Sequence, residues 1–228
     1  MLWCGGEEPF IDEASTIQVG RVVLGRYGGR TAGDRKNEDA ALVRSDDDRE
    51  YAVVADGHAG ADSSALAVRL LHDITDTAEI IPTLKDADTT GLTGETAILA
   101  VLRRGRFLHW LSIGDCVAYA LHPDLAARGQ YALNQRSFFE WFGRVDSLRL
   151  DVSCYASGVQ ALRPGRTRIV LVTDGALECG HPFDPSNFYD GELPARVDDL
   201  MRHIDGDGSA TVVAWDVTAG PTPMWPSV

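Results

Sequence analysis

Tyr51-Ala-Val-Val-Ala-Asp56-Gly57-His58 reads as a buried strand that ends on a carboxylate. Ile169-Val-Leu-Val-Thr-Asp174-Gly175 repeats the same chemistry. Each is a short β-branched and apolar run bounded by Asp-Gly, with the Gly free to turn the backbone sharply behind the acid. A third stretch, Leu111-Ser-Ile-Gly114-Asp115, ends in the same way. A fourth acidic cluster, Asp205-Gly-Asp207-Gly, precedes the strand-like Thr211-Val-Val-Ala-Trp215. Aspartates at the ends of several core strands can converge on one rim. Converging carboxylates repel one another unless a cation sits among them. Ligands that are all oxygen favour hard ions such as Mg²⁺ or Mn²⁺. A single Asp-Gly is an ordinary turn dipeptide. Four strand-end acidic positions, one of them followed by His58, point to a metal site.

The whole chain sets the outer bounds. Its 228 residues fit a single domain spanning 1–228, with a core over about 17–217 and loose ends. A net charge of −13 argues against nucleic-acid and anionic-membrane partners. The four cysteines, Cys4, Cys116, Cys154 and Cys179, form no Cys-x-x-Cys pair, which argues against a zinc knuckle or redox motif. With no signal peptide read at the start, a reduced cytoplasmic protein is expected. Cys116 reads as a small core residue. The longest apolar runs are too short for a bilayer.

Outward from the Asp-Gly motifs, the pattern predicts these elements. Residues 1–15 form an irregular lead-in, and Ile17 to Gly25 a first strand. Strands Ala40–Arg44 and Tyr51–Ala55 are joined through a polar tip, Ser45-Asp46-Asp47-Asp48. Ala65, Leu66, Ala67, Leu70, Leu71 and Ile74 recur at helical spacing, predicting a helix over 61–80 capped by Asp62 or Ser63. Thr96–Leu102, Phe107–Ile113 and Cys116–His122 read as an antiparallel meander. The aromatic-rich stretch 135–142 reads as core packing. Arg168–Thr173 is a strand, Leu193–Ile204 a second helix and Thr211–Val217 the last strand. Antiparallel strands with two long helices imply a layered α+β fold.

The ordered series Asn37-Glu38-Asp39, Asp56-Gly57-His58-Ala59-Gly60, Gly114-Asp115-Cys116-Val117-Ala118-Tyr119 and Thr173-Asp174-Gly175 resembles the metal-dependent protein Ser/Thr phosphatases of the protein phosphatase 2C (PPM) family, in a small prokaryotic-type form. The resemblance covers about residues 17–217. It implies an α-β-β-α sandwich of two antiparallel sheets flanked by helices. It implies hydrolysis of phosphoserine and phosphothreonine in a protein substrate, with a metal-activated water and two, possibly three, Mg²⁺ or Mn²⁺ ions. Asp56 would bridge two ions, Gly57 would offer its carbonyl to one, and Asp174 would ligate the other. Asp115 would help hold a weaker third ion. Glu38 and Asp39 would orient bound waters, His58 would be the general acid, and Arg35 would clamp the phosphate.

Elementary chemistry agrees with those roles. Two ions sharing a carboxylate can lower the pKa of a water and clamp an in-line displacement. A seryl or threonyl alkoxide leaves poorly unless protonated, and imidazole titrates in the right range to supply the proton. An Arg fork binds phosphate oxygens in bidentate fashion.

Three departures from the family pattern stand out. The usual acidic ligand falls three residues before the Thr of the final strand, where this chain has Gly208. Asp207, one residue away, is the candidate ligand, with Gly206 and Gly208 able to absorb the offset. Arg35 lies one residue nearer Glu38 than in many relatives, which leaves Arg30 and Lys36 as alternatives. Gly-Asp-Ser has become Gly-Asp-Cys, which keeps the carboxylate. The Gly208 departure motivates an alternative function, a catalytically weak phosphatase-like module that binds a phosphoprotein or partner. The sequence leaves the physiological substrate and the oligomeric state open.

Overall fold

The computed structural model describes residues 1–8, 14–28, 37–46, 49–126, 131–137, 140–145, 148–150, 152–178, 183–204 and 208–221. Among these, thirteen strands run in chain order: β1 Leu2–Cys4, β2 Ser15–Val19, β3 Val22–Tyr27, β4 Ala40–Ser45, β5 Arg49–His58, β6 Glu95–Arg104, β7 Phe107–Ile113, β8 Val117–Leu121, β9 Phe142–Val145, β10 Leu148–Leu150, β11 Ala156–Ala161, β12 Gly165–Val172 and β13 Ala210–Ala219. The helices are α1 Asp62–Leu70, α2 Ile80–Lys85, α3 Pro123–Ala126, α4 Gly175–Glu178, α5 Pro185–Phe188 and α6 Leu193–Arg202. One sheet has the order β1-β4-β5-β6-β7-β11, with β9 added to β6 and β10 to β9. The other is β2-β3-β13-β12-β8. Every pairing is antiparallel.

The strand alternation explains the layering. On β5, Tyr51, Val53 and Ala55 face an outer cluster with Val68 and Leu71 beside α1 and Leu84 of α2. Ala52 and Val54 face inward, to a core shared with Ile169, Leu171, Val213 and Trp215 of the second sheet. On β12 the alternate residues Val170 and Val172 meet Val197 and Met201 of α6 on the far side. Both faces of each central strand are thus buried, which is why these strands read as continuous apolar runs. The result is an α+β sandwich, helix layer on sheet on sheet on helix layer, as expected from the sequence. Among the described residues, no helix is long and apolar enough to cross a membrane.

Several local expectations are corrected. The lead-in holds a strand: Leu2–Cys4 pairs with Ala40–Leu42, driving Trp3 into the inter-sheet core and Cys4 into the outer one. Ile17 to Gly25 is two strands joined at Gly20 and Arg21, paired with each other. The helix over 61–80 is only α1, and its N-cap is Ala61 with no capping side chain. The chain breaks after Leu71 and turns through a 3₁₀ segment, Thr77–Glu79, capped by Asp76, before α2. Pro82 closes neither turn, because it falls in the first turn of α2 where its missing N–H is unneeded. The third strand of the expected meander changes sheets: β8 pairs with β12 rather than with β7. The crossing lies at Gly114-Asp115-Cys116. A run of three short apolar segments does not distinguish a hairpin from a sheet-to-sheet crossing.

Candidate metal centre

Asp56 does not end its strand. β5 continues through Asp56, Gly57 and His58, opposite Ala97, Thr96 and Glu95 of β6. Thr96 Oγ1 donates to the Asp56 carbonyl at 2.8 Å, fixing the backbone that carries the acid. The turn follows, at Ala59 with φ 61° and Gly60 with φ 149°. Gly57 is therefore needed for room rather than for turning. A Cβ there would lie 2.1 Å from the Glu38 carbonyl oxygen. Gly175 has the same role, since its Cβ would lie 1.9 Å from the Ser209 carbonyl oxygen. The two Asp-Gly glycines let the Glu38-Asp39 and Ser209-Ala210 segments close onto the strand ends.

Asp39 sits at the junction of the two sheets and is fully buried. Its Oδ2 accepts from Thr211 Oγ1 at 2.7 Å and from Thr173 Oγ1 at 3.1 Å. Thr211 N in turn donates to Thr173 Oγ1 at 2.9 Å. Asn37 Oδ1 accepts from Asp39 N at 2.8 Å, and Asn37 Nδ2 donates to the Tyr27 carbonyl at 3.0 Å. Asp39 Oδ1 is buried with no hydrogen-bond partner among the described residues. Burial pushes the Asp39 carboxyl up to about 7, against the two threonine hydrogen bonds, with Asp174 raising it further. Glu38 is half-buried; its N donates to Ser209 Oγ at 3.3 Å and its carbonyl accepts from Ser64 Oγ at 2.5 Å.

The other carboxylates gather beside it. Asp174, at the exit of β12, donates its backbone N–H to Asp56 Oδ2 at 3.2 Å. Ligand atoms of Asp56, Asp115 and Cys116 lie within 4.8 Å of one another. Asp56 keeps partial access to solvent, yet its carboxyl is held well above its ordinary range, by burial first and then by the charges of Asp39 and Asp174. Burial and Asp174 likewise raise Asp115, whose Oδ1 is buried without a hydrogen-bond partner among the described residues. Burial, with the charges of Asp56 and Asp115, also pushes the Cys116 thiol well up. The carboxylate oxygens are thus crowded and, among the described residues, partly unsatisfied. That set fits a hard divalent cation.

His58 is exposed beside this cluster. Its Nδ1 lies 3.0 Å from Glu95 Oε1, its partner across β5 and β6. Its ring centroid is 6.2 Å from that of Trp141. The structure therefore brings Glu38, Asp39, Asp56, Gly57, His58, Asp115 and Asp174 to one rim. Arg35, Asp207 and Asp205 lie outside the described residues. Ser209, two residues after Asp207, is at the rim. Sequence reading missed Thr173 and Thr211 as supports of Asp39, Glu95 as the partner of His58, and Arg136 beside Asp115. Only Glu95 had a signal, since strand register opposes it to His58.

No family model matches this sequence, and no curated protein matches it. Solved structures do match the fold. The S. agalactiae serine/threonine phosphatase aligns with TM-score 0.59 at 16% identity, over 90% of this chain and 99% of that one. RsbX in complex with magnesium aligns with TM-score 0.61 at 16% identity, over 90% and 100%. The Mycobacterium tuberculosis serine/threonine phosphatase PstP/Ppp aligns with TM-score 0.58 at 19% identity, over 87% and 98%. The chain has the fold of the protein phosphatase 2C type. It spans nearly the full length of each of these three chains.

Proposed function

We propose that this chain is a metal-dependent protein serine/threonine phosphatase of the PPM family, acting on phosphoserine and phosphothreonine in protein substrates. The observation that carries the reading is the convergence of Asp39, Asp56, Asp115 and Asp174 at one rim, in a fold shared with solved Ser/Thr phosphatases. Residues 1–228 would form one such domain, working in the cytoplasm in phosphoprotein signalling.

Asp56, Asp174, Asp115 and Asp207, with the Gly57 carbonyl, would hold Mg²⁺ or Mn²⁺, two ions in this reading. When bound, these ions supply charge neutralisation for the phosphoryl oxygens and lower the pKa of the attacking water. Asp39 Oδ1, the oxygen left unpartnered by the threonines, accepts a hydrogen bond from that water and orients it, with Glu38 beside it. Arg35 binds phosphate oxygens. Water oxygen forms the new bond to phosphorus as the bond to the seryl or threonyl oxygen breaks. His58 delivers a proton to that departing oxygen. Glu95 engages Nδ1, which leaves Nε2 for the transfer.

Release of inorganic phosphate from matched phosphoserine, phosphothreonine and phosphotyrosine peptides tests the substrate class. Turnover on the first two, with phosphotyrosine slower, is expected. Turnover restricted to phosphotyrosine would overturn the assignment.

A further inference from the structure

Arg136 stands in the aromatic-rich stretch that the sequence reads as core packing. Its guanidinium instead reaches the acidic rim. Arg136 Nη2 lies 2.6 Å from Glu178 Oε1 and 3.9 Å from Asp115 Oδ2, and the side chain is 26% exposed. The backbone that carries it is stitched to both neighbours of Asp115. Asn134 is buried; its Oδ1 accepts from Ala118 N at 2.8 Å, and its Nδ2 donates to the Cys116 carbonyl at 2.8 Å and to Ser112 Oγ at 2.9 Å. Ser137 N donates to the Gly114 carbonyl at 3.0 Å. The position of Arg136 is thus set by ordered, buried hydrogen bonds.

Asp115 is therefore shared in two directions. An oxygen of its carboxylate lies within 4.8 Å of one from Asp56, close enough for a common ion. Its Oδ2 faces the guanidinium. A further ion held by Asp115, away from Asp56, would meet a fixed charge of its own sign at close range. The resemblance read from the sequence gives Asp115 a third, weaker ion. We propose that Arg136 takes that ion's place as a permanent cation, so that the centre binds no third ion. This rests on the proposed metal centre. A guanidinium stays charged at any working pH and pairs with both Asp115 and Glu178, so one of the two negative charges here is already offset without metal.

Equilibrium dialysis of the full chain against Mn²⁺ tests this by counting ions, independently of turnover. Arg136→Gln is expected to bind one more Mn²⁺ per chain than wild type, more weakly than the rest. Arg136→Lys, which keeps the charge, is expected to match wild type. Arg136→Met keeps the packing of the stem and carries the same expectation as Arg136→Gln if that variant folds poorly. Neutral variants that bind the wild-type number of ions would overturn the inference alone, as would a Lys variant that gains one. A wild type that binds no Mn²⁺ would overturn the metal centre and the inference with it.

Discussion

Asp39 and Thr211, 172 positions apart in the chain, meet through a 2.7 Å hydrogen bond that ties the segment before β4 to the start of β13. β4 belongs to one sheet and β13 to the other, so this bond joins the two sheets at the rim where the acids gather. The threonine hydroxyls hold Asp39 in a place that burial makes costly for a charge.

That cost has a pH signature. The Asp39 carboxyl is raised from 3.8 to about 7 in the folded chain. The folded state then keeps a proton that the unfolded state releases, so the stability this group contributes is fully present below about pH 4 and is lost as pH rises toward 7. Asp56 shifts in the same direction. Urea denaturation of metal-free protein at pH 5 and pH 7.5 should show lower stability at the higher pH, with a smaller drop in Asp39→Asn. Saturating Mg²⁺ should reduce the drop in wild type. An equal drop in Asp39→Asn would remove Asp39 as its source.

Gly57→Ala tests the close approach at the strand end. Its Cβ would sit 2.1 Å from the Glu38 carbonyl oxygen, a backbone atom that cannot swing aside as a side chain can. Relief requires moving Glu38 and Asp39 off the rim. The expected cost is about 1–3 kcal/mol, with Tm falling about 2–4 °C for each kcal/mol in a domain of this size. Activity should fall further than stability explains. A variant with wild-type Tm and turnover would contradict the tight contact.

His58→Ala separates proton donation from metal positioning. Turnover on a phosphoserine peptide should drop about 10²–10⁴-fold, while an aryl phosphate, whose leaving group needs little protonation, should lose far less. Glu95→Gln should keep most of the activity, because its amide oxygen can still accept from Nδ1. Equal losses on both substrates in His58→Ala would point to a role in holding the site together.

Much of this was legible in the sequence for definite reasons. Tyr51–His58 and Ile169–Gly175 are central strands buried on both faces, so their apolar runs are unbroken and their carboxylates fall at one end. The ordered motifs single out Asp39, Asp56, Asp115 and Asp174, and these four carboxyls lie near one another at one rim. What was hidden depends on contacts between distant positions. Glycine freedom suggested a turn at Gly57, but the constraint is a carbonyl from another segment. The switch of β8 to the second sheet leaves no local mark, because strands on either path are equally apolar. Arg136 lies among aromatics, and only the folding of Asn134 and Ser137 against the Asp115 loop reveals its place.

The central claim is that the converging acids make a metal-dependent phosphatase, and one assay addresses it directly. Purified chain is chelated, dialysed and assayed for phosphate release from a phosphothreonine peptide and from p-nitrophenyl phosphate, without metal and with Mn²⁺, beside folded Asp56→Asn. The account predicts no turnover without metal, turnover restored by Mn²⁺, and none in Asp56→Asn under either condition. Turnover that survives chelation, or full activity in Asp56→Asn, would contradict it. A folded, Mn²⁺-loaded wild type that turns over neither substrate would also contradict it and leave a phosphatase-like binding module in its place.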